Sequence, residues 1–291
     1  MRIRSLLVAI IVMSGPLGLE PVRADGAPLA EILAPCRESF PQVVENPNAE
    51  GGWSIAGAVG ETVLCIYGSF PPSQLAGIRA ALPFDRGLTV VVRSTGGPAA
   101  SWLSLAEHLE DRVVKLVIDE ACFSSCANYL PIVADQVLAL ENSLLLWHGG
   151  PGEAAPGEVP IVVAGVTEFL AYDNLARRTR ALYRRNGVAT ALLSASTRPT
   201  ASDVWKTLGL PVDPPPQVAG YAFSPDTLLS CFNLRSTVGM WHAGPDAEVL
   251  RLAQARSGSF YALESPKKPG GLRDCEPVPG TEQPVAPPAD P

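Results

Sequence analysis

Residues 121–135 read ACFSSCANYLPIVAD, with two serines between two cysteines at the opening of a helix-forming run. A serine there is a good N-cap, because its hydroxyl accepts a hydrogen bond from a free backbone N–H. A helix N-terminus also stabilises an anion and can host a hydroxyl nucleophile. The surrounding sequence has to distinguish a capped helix from a reactive turn.

Upstream, VVKLVI (113–118) and LTVVVRS (88–94) are almost wholly β-branched and apolar, as strands buried on both faces are. ETVLCIYG (61–68) reads as a further strand ended by glycine, and Gln74–Leu82 as a short helix. The strand at 88–94 breaks at TGG, and Pro98–Leu109 follows as an amphipathic helix. Downstream, VLAL (137–140) and LLLW (144–147) read as two strands around Glu141–Asn142–Ser143. GGPGEAAPGEVP (149–160) is a loop, and Val166–Arg185 a long helix closed by Asn186–Gly187. Strands alternating with helices predict a parallel α/β core. Ser202–Leu208 reads as a short helix and PVDPPP (211–216) as a linker. The expected organisation is a main domain over 25–211, a small C-terminal α+β appendage over 212–275, and a disordered Pro-rich tail over 276–291.

Residues 1–24 read as a secretory signal peptide. Arg2 and Arg4 precede LLVAIIVMSGPLGL, and VRA (22–24) is a small-residue cleavage site before Asp25. Gly15, Pro16 and Gly18 interrupt the apolar run, which suits a membrane span poorly; a retained N-terminal anchor is the competing reading. The expectation is a secreted or periplasmic protein. Its six cysteines form an even set that an oxidising compartment would pair. Six cysteines allow 15 pairings, and chain order suggests Cys36–Cys65, Cys122–Cys126 and Cys231–Cys275. A C-x-x-x-C pair with no histidine nearby argues against zinc, so no metal and no cofactor is expected. The net charge of −7 offers no basic footprint for nucleic acid. No G-x-x-x-x-G-K-[ST] segment is present, so any ATP-driven partner would be another chain.

A serine hydrolase with a histidine base must draw on His108, His148 or His242. His108 lies between Glu107 and Glu110, on what reads as a solvated helix face, and His242 lies in the appendage. His148 follows LLLW at a strand end, where α/β sites are built, and Gly149–Gly150 clear space beside it.

Three segments now combine into a resemblance: a strand running into STGG (94–97), the strand–SerSer–helix segment, and NSLLLWHGG (142–150). Their order and spacing resemble the proteolytic subunit of Clp-type proteases over about residues 58–211. The helix ending in VAD (133–135), ten residues after Ser125, resembles the nucleophile helix of signal-peptide-peptidase-type serine proteases. The chain also resembles exported Clp-protease-like proteins that carry a Cys-x-Ser-x-Cys turn. The resemblance implies a ClpP/crotonase-like parallel spiral of β-β-α units. It implies Ser125 as nucleophile, His148 as general base, and Gly97 and Cys126 as oxyanion-hole donors through their backbone N–H groups. Ser124 is the alternative nucleophile; Ser125 is preferred because its spacing to Ala134–Asp135 matches without a gap. A Cys122–Cys126 disulfide would clamp the turn.

The resembled family orients its histidine with an aspartate. Counting back from Gly209, that position falls at Leu193, flanked by Ser194 and close to Ser196. Asp203 reads as a helix cap, and Asp173 lies on the long helix. Pro131 inside the nucleophile helix should kink it. Arg177, Arg178, Arg180, Arg184 and Arg185 read as a solvated face; in the resembled family the matching helix joins a ring, which implies a possible homo-oligomer. Trp53, Trp102, Trp147, Trp205 and Trp241 read as packing residues. Two functions follow: an exported serine peptidase acting on peptide or protein substrates, or a non-catalytic Clp-like binding or assembly module with a decayed site.

Overall fold

The computed structural model describes residues 29–46, 49–58, 61–82, 87–151, 166–195, 219–256 and 261–263. The signal-peptide reading, the 202–208 helix, the 211–216 linker and the Pro-rich tail lie outside these residues.

The central sheet forms where the sequence is most apolar and β-branched. β2 (Glu61–Tyr67), β3 (Leu88–Ser94), β4 (Val114–Phe123) and β5 (Gln136–Ala139) pair in parallel, in that order. β1 (Gly52–Ala58) adds an antiparallel edge on β2. All seven residues of β3 are buried, as expected of a strand covered on both faces. The alternation divides them between two cores. Leu64, Ile66, Val90, Val92, Leu116 and Ile118 share one cluster with α4 (Ala99–Leu109) and α5 (Ser125–Val133). Val63, Cys65, Tyr67, Val91 and Val117 face α1 (Leu29–Ser39) and α2 (Pro41–Glu45) on the other side. The fold is thus α/β with a mixed, mainly parallel sheet.

β4 is longer than its apolar run. Val92 and Ser94 of β3 pair with Ile118 and Cys122 of β4, so β4 carries two extra residues across Asp119–Ala121. Glu120 has φ 76° at this bulge. Before it, Lys115–Ile118 pair with β5; after it, Ala121–Phe123 pair with β6 (Leu144–Leu146). The bulge therefore hands the edge of β4 from one strand to the next and delivers the chain to Ser124 beside β6.

α3 (Leu75–Ala81) follows a short 3-10 turn after β2. α6 (Val166–Arg185) packs against α4 through ion pairs, and part of its arginine face is engaged rather than solvated. Arg178 Nη2 lies 2.5 Å from Glu107 Oε2, and Arg185 Nη2 lies 2.7 Å from Glu110 Oε2. α7 (Ala191–Ala195) follows, then β7 (Ala219–Tyr221), α8 (Pro225–Phe232), α9 (Asp246–Arg256) and β8 (Tyr261–Leu263), with β7 and β8 paired in parallel. This C-terminal segment shares the main core: Tyr221, Phe223, Leu228, Phe232, Leu234 and Met240 are buried in the cluster that holds α5. Trp147 and Tyr221 exchange backbone hydrogen bonds of 2.9 and 2.6 Å, which ties the segment to the strand end carrying His148.

Two disulfides are formed, Cys36–Cys65 and Cys122–Cys126, each with Cα atoms 5.3 Å apart. Cys231 is also disulfide-bonded; its expected partner Cys275 lies outside the described residues. No helix among the described residues is long and apolar enough to cross a membrane.

Three of the buried phenols are raised by burial. Burial, reinforced by the neighbouring carboxylate Asp119, raises Tyr67 well above its ordinary value. Burial pushes Tyr129 up to about 12 and raises Tyr183 well above 10. Above about pH 10 the unfolded chain loses these protons while the native state keeps them, so stability must fall as pH rises. Each phenol contributes at most about 1.4 kcal/mol per pH unit, so the expected slope steepens above about pH 10 and is greatest, somewhat under about 4 kcal/mol per pH unit, near about pH 11. Urea midpoints measured across that range check it; a flat profile would contradict the burial of these hydroxyls.

Candidate active site

β4 ends at Phe123 and α5 begins at Ser125, so the strand-to-helix turn is the single residue Ser124. Its φ of 58° and ψ of −125° lie in a region that non-glycine residues seldom occupy, at a cost of about 1–3 kcal/mol. Hydrogen bonds fix it from both sides. Its N–H donates to the Leu146 carbonyl at 2.9 Å, and its carbonyl accepts the Asn128 N–H at 2.9 Å. The half-buried side chain is held on the outside of the bend, with Oγ 2.5 Å from Nε2 of His148. The imidazole reaches it because β6 runs parallel to the last residues of β4; their pairing ends at Phe123–Leu146, one residue before Ser124 and two before His148.

The partner of His148 is thus Ser124, the alternative of the two serines, and not Ser125. Ser125 is 6% exposed and donates from Oγ to the Gly97 carbonyl at 3.0 Å. That bond fastens the glycine turn after β3 against the start of α5. Ser94 supports the same turn: its Oγ donates to the Gly68 carbonyl at 2.6 Å and accepts the Gly96 N–H at 3.0 Å. Gly96 and Gly97 have φ of 104° and 132°. A Cβ on Gly96 would stand 2.7 Å from Ser124 Cβ and 2.8 Å from the Phe123 carbonyl oxygen, so only glycine fits behind the serine. With Ser124 on the imidazole, the N–H that follows the hydroxyl-bearing residue belongs to Ser125, one position before Cys126. Cys126 itself is fully buried and bonded to Cys122.

Pro131 leaves α5 a continuous helix over Ser125–Val133, and its carbonyl accepts a 2.8 Å bond from Ser236 Oγ. Leu193, where the orienting aspartate of the resembled family would fall, is 1% exposed and lies against the loop after His148. A Cβ on Gly150 would meet its Cδ2 at 2.8 Å. Asp173 is exposed on α6. Asp203 and Ser196 lie outside the described residues.

The other two histidines lie on other elements, His108 on α4 and His242 after α8. In His242, Nδ1 accepts the Gly244 N–H at 2.9 Å, so Nε2 carries the proton and donates to the Ala222 carbonyl at 3.1 Å. His108 is half-buried rather than solvated, and its buried Nε2 has no hydrogen-bond partner. Burial, then Arg112 and Arg79, hold it below the usual imidazole range.

Sequence reading missed Asn128 and Gly96. Asn128 sits one helical turn after Ser124 and donates from Nδ2 to the Gly149 carbonyl at 2.8 Å. Its four-residue spacing from Ser124 was the available signal.

The disulfides should separate site geometry from stability. Cys122 and Cys126 are four residues apart, Cys36 and Cys65 29 apart. Chain entropy assigns about 2 kcal/mol to the short loop and about 3.5 kcal/mol to the long one. Cys36→Ala/Cys65→Ala is therefore expected to lower the urea midpoint more. Cys122→Ala/Cys126→Ala should lower it less, yet slow any reaction at Ser124 more. Denaturation and labelling kinetics on both pairs check the ordering.

Comparison with protein-family models and with curated proteins returns no match.

Proposed function

We propose that this chain is an exported serine hydrolase, a peptidase acting on peptide or protein substrates, with Ser124 as nucleophile and His148 as general base. The observation that carries the reading is the 2.5 Å approach of Ser124 Oγ to His148 Nε2, at a residue held in a strained turn. A non-glycine residue persists in such a conformation when the surrounding structure over-determines it, and such residues cluster at reactive sites. In the proposed reaction His148 Nε2 takes the Ser124 proton as Oγ attacks the carbonyl carbon of the substrate. The imidazolium then protonates the leaving group, and water hydrolyses the acyl-enzyme by the same route. The oxyanion is received by the backbone N–H groups of Ser125 and Gly97. Ser125 opens α5, where the N–H groups of the first turn lack intrahelical acceptors. The parallel β2–β5 order with intervening helices supports a ClpP/crotonase-like arrangement. The disulfides support an oxidising compartment, in keeping with export.

The second reading, a non-catalytic Clp-like binding or assembly module, rests on Leu193 at the position expected for the aspartate. Fluorophosphonate labelling of the mature protein separates the two. The hydrolase labels at one serine, with a rate that rises over roughly pH 6 to 8 as a histidine base becomes neutral. Absence of labelling throughout roughly pH 6 to 9 would select the module.

A further inference from the structure

We infer that Asn128 is a positioning residue that keeps His148 in register with Ser124. The inference rests on the Ser124–His148 reading and adds a part to it. Asn128 is 2% exposed and bonds both to Ser124 and to the residue that follows His148. Its backbone N–H donates to the Ser124 carbonyl at 2.9 Å, closing the first turn of α5. Its side-chain Nδ2 donates to the carbonyl of Gly149, the residue after His148, at 2.8 Å. The same rigid peptide stretch thereby sets the height of the hydroxyl and the height of the imidazole.

Asn128 is itself fixed from behind. The hydroxyl of Tyr183, fully buried, donates to the Asn128 carbonyl at 2.9 Å, and burial keeps that phenol protonated throughout the working pH range. The loop lies close on the amide. A Cβ on Gly150 would come 2.8 Å from Asn128 Nδ2 and 2.8 Å from Leu193 Cδ2. Asn128 thus acts on the backbone that carries the base. The side chain of Leu193 seats the same loop from its other side, as apolar contact. Buried hydrogen bonds of this kind resist displacement, and a misplacement of about 1 Å costs on the order of 10²-fold in rate.

The test combines the fluorophosphonate labelling rate, measured well below each variant's melting point, with NMR of the histidine side chains. Asn128→Ala is expected to slow labelling ten-fold or more and to move and broaden the His148 ring resonances, with those of His242 unchanged. Gly150→Ala approaches the same contact from the loop and is expected to do the same; it decides the matter if Asn128→Ala fails to fold. Wild-type labelling together with unmoved His148 resonances would overturn the inference. So would slower labelling with unmoved resonances, since Asn128 would then act through packing alone. If the wild-type protein does not label, the hydrolase proposal falls by itself. The His148 resonances then decide Asn128: displacement in the variants supports it, and none refutes it.

Discussion

Replacing Ser124 by alanine is expected to abolish fluorophosphonate labelling and hydrolysis, with a loss of at least about 10³-fold. Removal of a nucleophile or base from a unit of this kind leaves only what binding and the oxyanion donors supply. Ser125→Ala should behave differently, although the two serines are adjacent. It deletes the 3.0 Å bond to the Gly97 carbonyl and loosens the turn that carries one proposed oxyanion donor. Loss of a supporting hydrogen bond of about 1 kcal/mol predicts a rate reduction of about two- to thirteen-fold. The contrast is informative because both hydroxyls occupy the same helix start, and only one meets an imidazole. His148→Ala should match Ser124→Ala in hydrolysis, whereas His242→Ala should leave labelling intact. Initial rates of labelling, read by gel fluorescence on the four variants, check the ranking.

The second large effect concerns stability. Asp119 is fully buried within the bulge of β4, and α1 supplies its counter-ion. Arg37 reaches it with two hydrogen bonds, from Nε at 3.0 Å and from Nη2 at 2.5 Å. The Tyr67 hydroxyl donates to the same carboxylate at 2.6 Å. Arg37→Ala leaves that carboxylate buried with, among the described residues, the Tyr67 phenol as its remaining side-chain donor. Breaking a buried pair in this way costs about 3–5 kcal/mol. Arg37 is 42% exposed, so solvent already screens part of the attraction, and the expected cost lies near about 3 kcal/mol. Tyr67→Phe removes a neutral donor and should cost about 1–2 kcal/mol. Urea denaturation of both variants measures the difference. Equal midpoints for Arg37→Ala and wild type would mean that α1 does not hold the bulge.

The bulge also explains what the sequence made legible. The run LTVVVRS was readable as a doubly covered strand because its buried faces are both apolar. The continuation of β4 to Phe123 was not, because Asp119 and Glu120 interrupt the apolar pattern at the residues that leave the regular ladder. The helix α1 carries Pro35, and its chief polar partner lies 82 residues away, so no local signal announced either. β1, GWSIAGA, is rich in small residues and lacks the β-branched pattern of its neighbours. At the site, the histidine was found because its strand end and following glycines are local features. Spacing left the choice between the serines open, since the distance to Asp135 favours Ser125 whereas the Cys-x-Ser-x-Cys pattern falls on Ser124. The choice depends on a φ of 58° at Ser124, which turns one hydroxyl toward β6 and the next toward Gly97. Asn128 escaped notice because its partner, the Gly149 carbonyl, belongs to a loop 21 residues further on.

The most direct measurement is a crystal structure of the mature protein after reaction with a fluorophosphonate. A Ser124 Oγ–phosphorus bond is expected, with the phosphonyl oxygen about 2.7–3.1 Å from the N–H groups of Ser125 and Gly97, and His148 Nε2 still beside Oγ. Phosphorus on Ser125, or on Ser124 with its oxygen turned away from both donors, would contradict the account.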